Sequence, residues 1–324
     1  MSKQVRERTV AVNGVELHVT EAGEGYPVVL AHGFPELGYS WRHQLPALAG
    51  AGFRAVAPDQ RGYGRSSRPP AIEDYDILAL TGDLLALLDE MGEERAIFVG
   101  HDWGSMVVWQ LALLAPERVA GVVGMSVPFL PRGPVPPTQL MQQLFGDSFF
   151  YILYFQEPGV ADADLARDPT TTMRRMLAGL TVVEGATLDA SGLSAGDGRG
   201  FVDRLPEPER LPDWLTQEEL DHYVTAFSAT GFTGGINWYR NFDRNWNLTE
   251  HLDGAKVEVP SLFIGGSLDP VRFMSPPEVM DGWLTDHRGT VLIDGAGHWV
   301  QQEKPDEVNR ALLRFVTDIR SEGR

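Results

Sequence analysis

Ala96-Ile97-Phe98-Val99-Gly100-His101-Asp102-Trp103-Gly104 is the stretch that decides how this chain reads. Ala96 to Val99 has the character of a buried parallel strand, and the apolar run from Met106 to Ala115, closed by Pro116, reads as a helix. Between them, Gly100 to Gly104 has the outline of a nucleophile elbow, a sharp strand-to-helix turn that presents one reactive side chain between small residues. Asp102 stands where such an elbow normally carries serine. A serine hydroxyl attacks acyl carbon. A carboxylate is already ionised near neutral pH, attacks alkyl carbon without help from a base, and is left as an alkyl ester. On the pentapeptide alone an ordinary βα loop fits equally well, so the surroundings must decide.

Those surroundings alternate. Thr9 to Val12 and Val15 to Glu21 flank Asn13-Gly14, a dipeptide suited to a two-residue hairpin turn. Val28 to Ala31 and Phe53 to Ala57 read as buried strands, with helices expected over Tyr39 to Ala49 and Asp76 to Met91. Val119 to Met125, Ser261 to Gly265 and Thr290 to Ile293 supply further strands, and Pro305 to Ile319 an amphipathic helix opened by proline. The pattern predicts an α/β fold, a mostly parallel central sheet covered by helices. It breaks at Pro128, Pro131, Pro134, Pro136 and Pro137, after which helical and aromatic segments run to about Asp253 without alternation. The expected organisation is therefore a core over residues 1–127, an inserted helical cap over 128–253, and the rest of the core over 254–324. Within the cap, Gly185 to Pro212 is rich in Gly, Asp and Pro. Its Gly196-Asp197-Gly198-Arg199-Gly200 follows no strand, so it reads as a mobile loop and not as a nucleotide site.

Composition narrows the function classes. With 324 residues, 43% of them hydrophobic, the chain can bury one large core. A formal net charge of -18 argues against nucleic-acid and anionic-membrane partners, whose surfaces attract Lys and Arg. The absence of cysteine excludes disulfides and thiolate catalysis. The charged start of the chain lacks the apolar core of a secretory signal, and no apolar run reaches the roughly 20 residues that span a bilayer. A cytoplasmic protein, monomer or homodimer, is expected.

Three further motifs fall at strand ends, where open parallel sheets place their active sites. His32-Gly33-Phe34-Pro35 follows the third strand and suits an oxyanion hole, in which the backbone N–H of Phe34 and that of Trp103 converge on the Asp102 carbonyl when its ester is attacked. Asp269 follows the strand ending at Gly265, and His298 follows the last strand in Gly295-Ala296-Gly297-His298-Trp299. Singly, each has a blander reading as a turn or surface residue. In the order Asp102, Asp269, His298 they reproduce the nucleophile, acid and histidine sequence of this fold, with Asp269 orienting His298 as general base. The other histidines, His32 and His101 among them, have no paired ligand spacing; those two are expected to shape their turns, and no metal or cofactor is expected.

With these motifs the chain resembles the epoxide hydrolases of the α/β-hydrolase superfamily over nearly its whole length. The His32-Gly33-Phe34-Pro35 loop, Asp59-Gln60-Arg61-Gly62-Tyr63-Gly64, the elbow and Gly297-His298-Trp299 carry the resemblance to the superfamily. Two cap segments are more specific: Tyr151-Ile152-Leu153-Tyr154-Phe155-Gln156-Glu157-Pro158-Gly159 and Asn237-Trp238-Tyr239-Arg240-Asn241 look like those from which the family supplies two active-site tyrosines. Such hydroxyls hydrogen-bond to the oxygen that leaves carbon as the epoxide opens. Tyr239 is the candidate from the second segment. In the first, Tyr151 and Tyr154 would share a helix face and periodicity leaves both open; the family pattern favours Tyr151.

The resemblance implies an apolar epoxide and water as substrates and a vicinal diol as product. Phe34, Trp103, Met106, Phe155, Trp238 and Trp299 are the expected pocket walls. A haloalkane or haloacid dehalogenase uses the same aspartate, acid and histidine, but it would often carry a halide-binding asparagine where Phe34 stands, and halide has little use for tyrosine hydroxyls. A non-catalytic receptor on the same fold is the further alternative, against which the complete triad speaks.

Overall fold

A computed structural model describes residues 5–179 and 197–322, with Phe273 described by its backbone alone. The chain opens with β1 (Arg6–Val12) and β2 (Val15–Ala22), paired antiparallel with Val12 opposite Val15. At the turn Asn13 and Gly14 take φ of 47° and 77°, the positive values a tight two-residue hairpin demands. Then come β3 (Tyr26–Ala31), α1 (Gln44–Gly50), β4 (Phe53–Pro58), α2 (Ile77–Glu90), β5 (Ala96–His101), α3 (Trp103–Leu114) and β6 (Val119–Met125).

Among the described residues after β6 the elements are helical: α4 (Pro137–Phe145), α5 (Tyr151–Tyr154), α6 (Val160–Ala166), α7 (Pro169–Arg174), a π-helical turn over Arg175–Gly179, α8 (Gln217–Thr230), α9 (Thr233–Arg240) and α10 (Phe242–Leu248). The glycine-rich loop expected from Gly185 lies outside the described residues as far as 196. Alternation returns with β7 (Ser261–Gly266), α11 (Pro270–Met274), β8 (His287–Ile293), α12 (Val300–Glu303) and α13 (Pro305–Glu322).

The eight strands form one sheet in the order β1-β2-β4-β3-β5-β6-β7-β8, parallel from β4 to β8. β5 and β6 are buried along their whole length, as central strands covered on both faces must be. Successive side chains point to opposite faces. Val29 and Phe98 join Leu84 of α2 and Val107 of α3 on one side, while Val28, Leu30 and Val99 join Leu48 of α1 and Leu312 of α13 on the other. The first of these clusters continues into the helical segment through Phe155, Met173 and Trp238.

One expected helix is divided. Instead of a continuous helix over Tyr39 to Ala49, the chain makes a 3-10 turn at Gly38–Trp41 and starts α1 at Gln44. Pro46 is the cause: inside a helix begun at Tyr39 its ring would collide with the Arg42 carbonyl, whereas in the first turn of α1 its missing N–H costs nothing. No helix among the described residues is long and apolar enough to cross a membrane.

Candidate active site

Asp102 occupies the single residue between β5 and α3, with φ 54° and ψ −119°, a conformation that costs a side-chain-bearing residue on the order of 1–3 kcal/mol. Hydrogen bonds hold it there. Its N–H donates to the Met125 carbonyl at 3.2 Å, and its carbonyl accepts from Ser105 and Met106 at 3.0 and 3.2 Å, which starts α3. The turn is also close-packed: a Cβ on Gly104 would strike the Ala31 carbonyl, and one on Gly33 would strike the Asp102 carboxylate. That carboxylate keeps 15% side-chain exposure, and its Oδ1 accepts the Phe34 N–H at 2.8 Å. The Phe34-Pro35 peptide bond is cis.

Asp269 is 1% exposed and caps α11 by accepting the Val271 N–H at 2.9 Å. Its two oxygens lie 3.1 and 3.2 Å from Nδ1 of His298, whose Nε2 faces Oδ2 of Asp102 at 3.6 Å. The carboxylate at Nδ1 keeps a proton on that nitrogen and turns Nε2 toward the Asp102 carboxylate. Burial disfavours the charged imidazole, but the Asp269 and Asp102 carboxylates outweigh it and raise the His298 pKa well above its ordinary value.

Behind these groups lies a carboxylate that the sequence reading missed. Glu36 is fully buried, and its oxygens accept from the Gly33 N–H at 3.0 Å, Gln301 Nε2 at 2.9 Å and Gln302 Nε2 at 3.0 Å, and meet His101 Nδ1 at 2.6 Å. Burial alone would raise its pKa; the His101 ring, His32 and the donated N–H groups reverse that and hold it at about 2. His101 Nε2 in turn donates to the His298 carbonyl at 2.7 Å. Glu36 and His101 thus connect the oxyanion loop, the elbow and the histidine loop. His32 joins the β3 loop to the β4 loop by accepting the Gln60 N–H at 3.0 Å. The available signal was one acidic residue in an otherwise apolar loop, beside two strand-end histidines.

Tyr151 and Tyr239 come together over the elbow, their ring centroids 5.9 Å apart at 76°. Burial raises both phenol pKa values, and the Asp102 charge nearby raises them further. Tyr239 lies edge-on to Trp103, their ring centroids 5.1 Å apart. Tyr154 turns elsewhere, its hydroxyl donating to Asp164 at 3.3 Å. The two tyrosine segments are tied to each other: Gln156 Nε2 donates to the Tyr239 carbonyl at 3.1 Å, and Arg240 Nε to the Phe155 carbonyl at 3.0 Å.

Around the pair, Phe34 packs against Phe155 at 5.9 Å and Tyr239 at 5.5 Å, and Tyr151 against Phe155 at 5.6 Å. Met106, one turn along α3, is half-buried. Trp238 stands a layer further back, fully buried against Trp103 and Tyr63 with its indole N–H donating to the Arg61 carbonyl at 3.2 Å. Trp299 packs on the His298 and His101 rings at 4.7 and 5.8 Å.

Fold and site together define a hydrolase built on a parallel sheet, and residues 26–305 match the family model of the alpha/beta hydrolase fold. The chain is 60% identical over 315 residues to epoxide hydrolase A of Mycobacterium tuberculosis (strain ATCC 25618 / H37Rv), covering 97% of this chain and 98% of that one. It is 40% identical to epoxide hydrolase 1 of Siraitia grosvenorii, covering 97% and 99% of the two chains. The crystal structure of epoxide hydrolase A from Mycobacterium thermoresistibile superposes with a TM-score of 0.94 at 59% identity, covering 97% of this chain and 98% of its own. The chain belongs to the epoxide hydrolases of the α/β-hydrolase fold.

Proposed function

We propose that this protein opens an apolar epoxide to a vicinal diol through a covalent ester on Asp102, in a cavity between a core of residues 1–127 and 254–324 and a cap of residues 128–253. The observation that carries this reading is the meeting of two phenols, the buried Tyr239 and the half-buried Tyr151, beside a carboxylate on a strand-to-helix turn. An Asp102 oxygen attacks one ring carbon and the C–O bond on that carbon breaks. The departing oxygen takes a hydrogen bond from each phenol and acquires its proton through them. Phe34, Trp103, Met106 and Phe155 supply apolar walls, while Trp238 and Trp299 support Trp103 and His298 from behind. The lack of cysteine and the net charge of -18 suit the cytoplasm.

The raised His298 pKa gives the second step its order. While Asp102 is ionised, two carboxylates hold a proton on the imidazole. Once the ester has formed and the Asp102 charge is gone, the imidazole releases its proton to solvent, which balances the one the new hydroxyl takes through the phenols. Neutral His298 then takes a proton from water as the water oxygen attacks the ester carbonyl carbon. The tetrahedral oxyanion is met by the N–H groups of Phe34 and Trp103, the bond to the diol oxygen breaks as that oxygen takes the proton of the hydroxyl added by water, and carboxylate and imidazolium are left.

Assaying styrene oxide and a haloalkane side by side, with diol and halide both measured, tests the reading. Diol without halide release is expected. Halide release without diol would assign the same triad to dehalogenation, against which stands Phe34 in place of an asparagine.

A further inference from the structure

The loop that carries His298 is gripped from outside by a carboxylate with no part in the mechanism above. Glu303, the last residue of α12, folds back so that Oε2 accepts the Gly297 N–H and Oε1 the Trp299 N–H, each at 2.8 Å. These two amides flank His298 in the chain. The side chain is half-buried, and a Cβ on residue 297 would come within 3.1 Å of Oε1, so glycine leaves the room this contact uses. From the other side the His298 carbonyl accepts from Ser126 Oγ at 2.8 Å and His101 Nε2 at 2.7 Å. The peptide unit on the C-terminal side of the histidine is thereby held at both its N–H and its carbonyl, the unit that ends at Gly297 is held at its N–H, and Asp269 fixes the ring.

We propose that Glu303 is a positioning residue for His298 and that it governs the hydrolysis of the ester without governing its formation. The inference rests on the reading that His298 activates water against an ester on Asp102. Its selectivity follows from which elements hold which groups. Asp102 is set by β5, α3 and the Met125 carbonyl, Phe34 by the loop after β3, and Tyr151 and Tyr239 by α5 and α9. The loop of His298 alone hangs on Glu303. A carboxylate is needed because both partners are donors: a glutamine has one acceptor oxygen and would turn its NH2 onto the second amide.

Single turnovers with styrene oxide, quenched in acid and followed by intact-protein mass for the ester and by chromatography for the diol, test this. The unmodified enzyme, Glu303→Gln, Glu303→Ala and His298→Gln are compared. In both Glu303 variants the ester is expected to form at an essentially unchanged rate and to hydrolyse about 10- to 100-fold more slowly, the cost of a misplaced reacting group. Loss of folding would only reduce the number of working molecules, and Glu303→Gln keeps the side-chain volume should Glu303→Ala fold poorly. Equal slowing of the two steps, or unchanged hydrolysis in the variants, would overturn the proposal while leaving the covalent route standing if His298→Gln accumulates ester. If His298→Gln accumulates no ester, the covalent reading itself fails and this inference falls with it.

Discussion

At Asp102 a strained backbone aims a carboxylate past the end of the sheet, and burial raises the pKa of the Tyr151 and Tyr239 phenols beside it, the donors to the displaced oxygen in the reaction proposed above. Replacing either tyrosine with phenylalanine is expected to slow ester formation about 10²- to 10⁴-fold, the range for loss of one positioned proton donor. Tyr154→Phe removes a hydroxyl that points at Asp164 and should leave that rate near the parent value; rapid-mixing measurements of all three variants check this. Near-equal effects at 151 and 154 would contradict the assignment. The strand-end residues were readable in the sequence because each follows an apolar run directly, so chain order alone sets them side by side. The choice between Tyr151 and Tyr154 was not. α5 is four residues long, and its orientation comes from Gln156 and Arg240 linking it to α9, contacts no local pattern records.

Between elements, the loops after β3, β5 and β8 meet at Glu36 and His101, buried groups whose partners lie up to 266 positions away along the chain. A carboxylate so held carries a pH signature. Its pKa falls from 4.5 in the unperturbed state to about 2, so the stability it contributes is fully present above pH 4.5 and is lost as the pH drops toward 2. Urea unfolding of the parent and of Glu36→Gln is expected to show the variant less stable at neutral pH, with the gap narrowing through that acid window. A gap that stays constant through it would contradict an ionised Glu36. Local chemistry made other element-scale features legible: Asn13-Gly14 specified its hairpin, and Asp76 its helix start, where it accepts the Ala79 N–H at 2.9 Å. It also corrected one expectation, since Pro46 divides the segment expected to be a single helix.

Across the whole molecule, parallel strands carry Phe34, Asp102, Asp269 and His298 to the carboxyl end of the sheet, on the loops after β3, β5, β7 and β8, and the helical segment after β6 sets Tyr151 and Tyr239 opposite them. The sheet was legible from the alternation of apolar runs. The packing of the helices after β6 was not, because they have no hydrogen-bonded register and settle by side-chain fit against Phe34 and Trp103. The central claim is that an oxygen of the enzyme enters the product. Under single-turnover conditions in heavy-oxygen water, the first diol released should carry no label, because its new oxygen comes from Asp102, and label should appear in the diol from the second turnover onward. Fully labelled diol in the first turnover would mean that water attacks the epoxide directly, and would contradict the account.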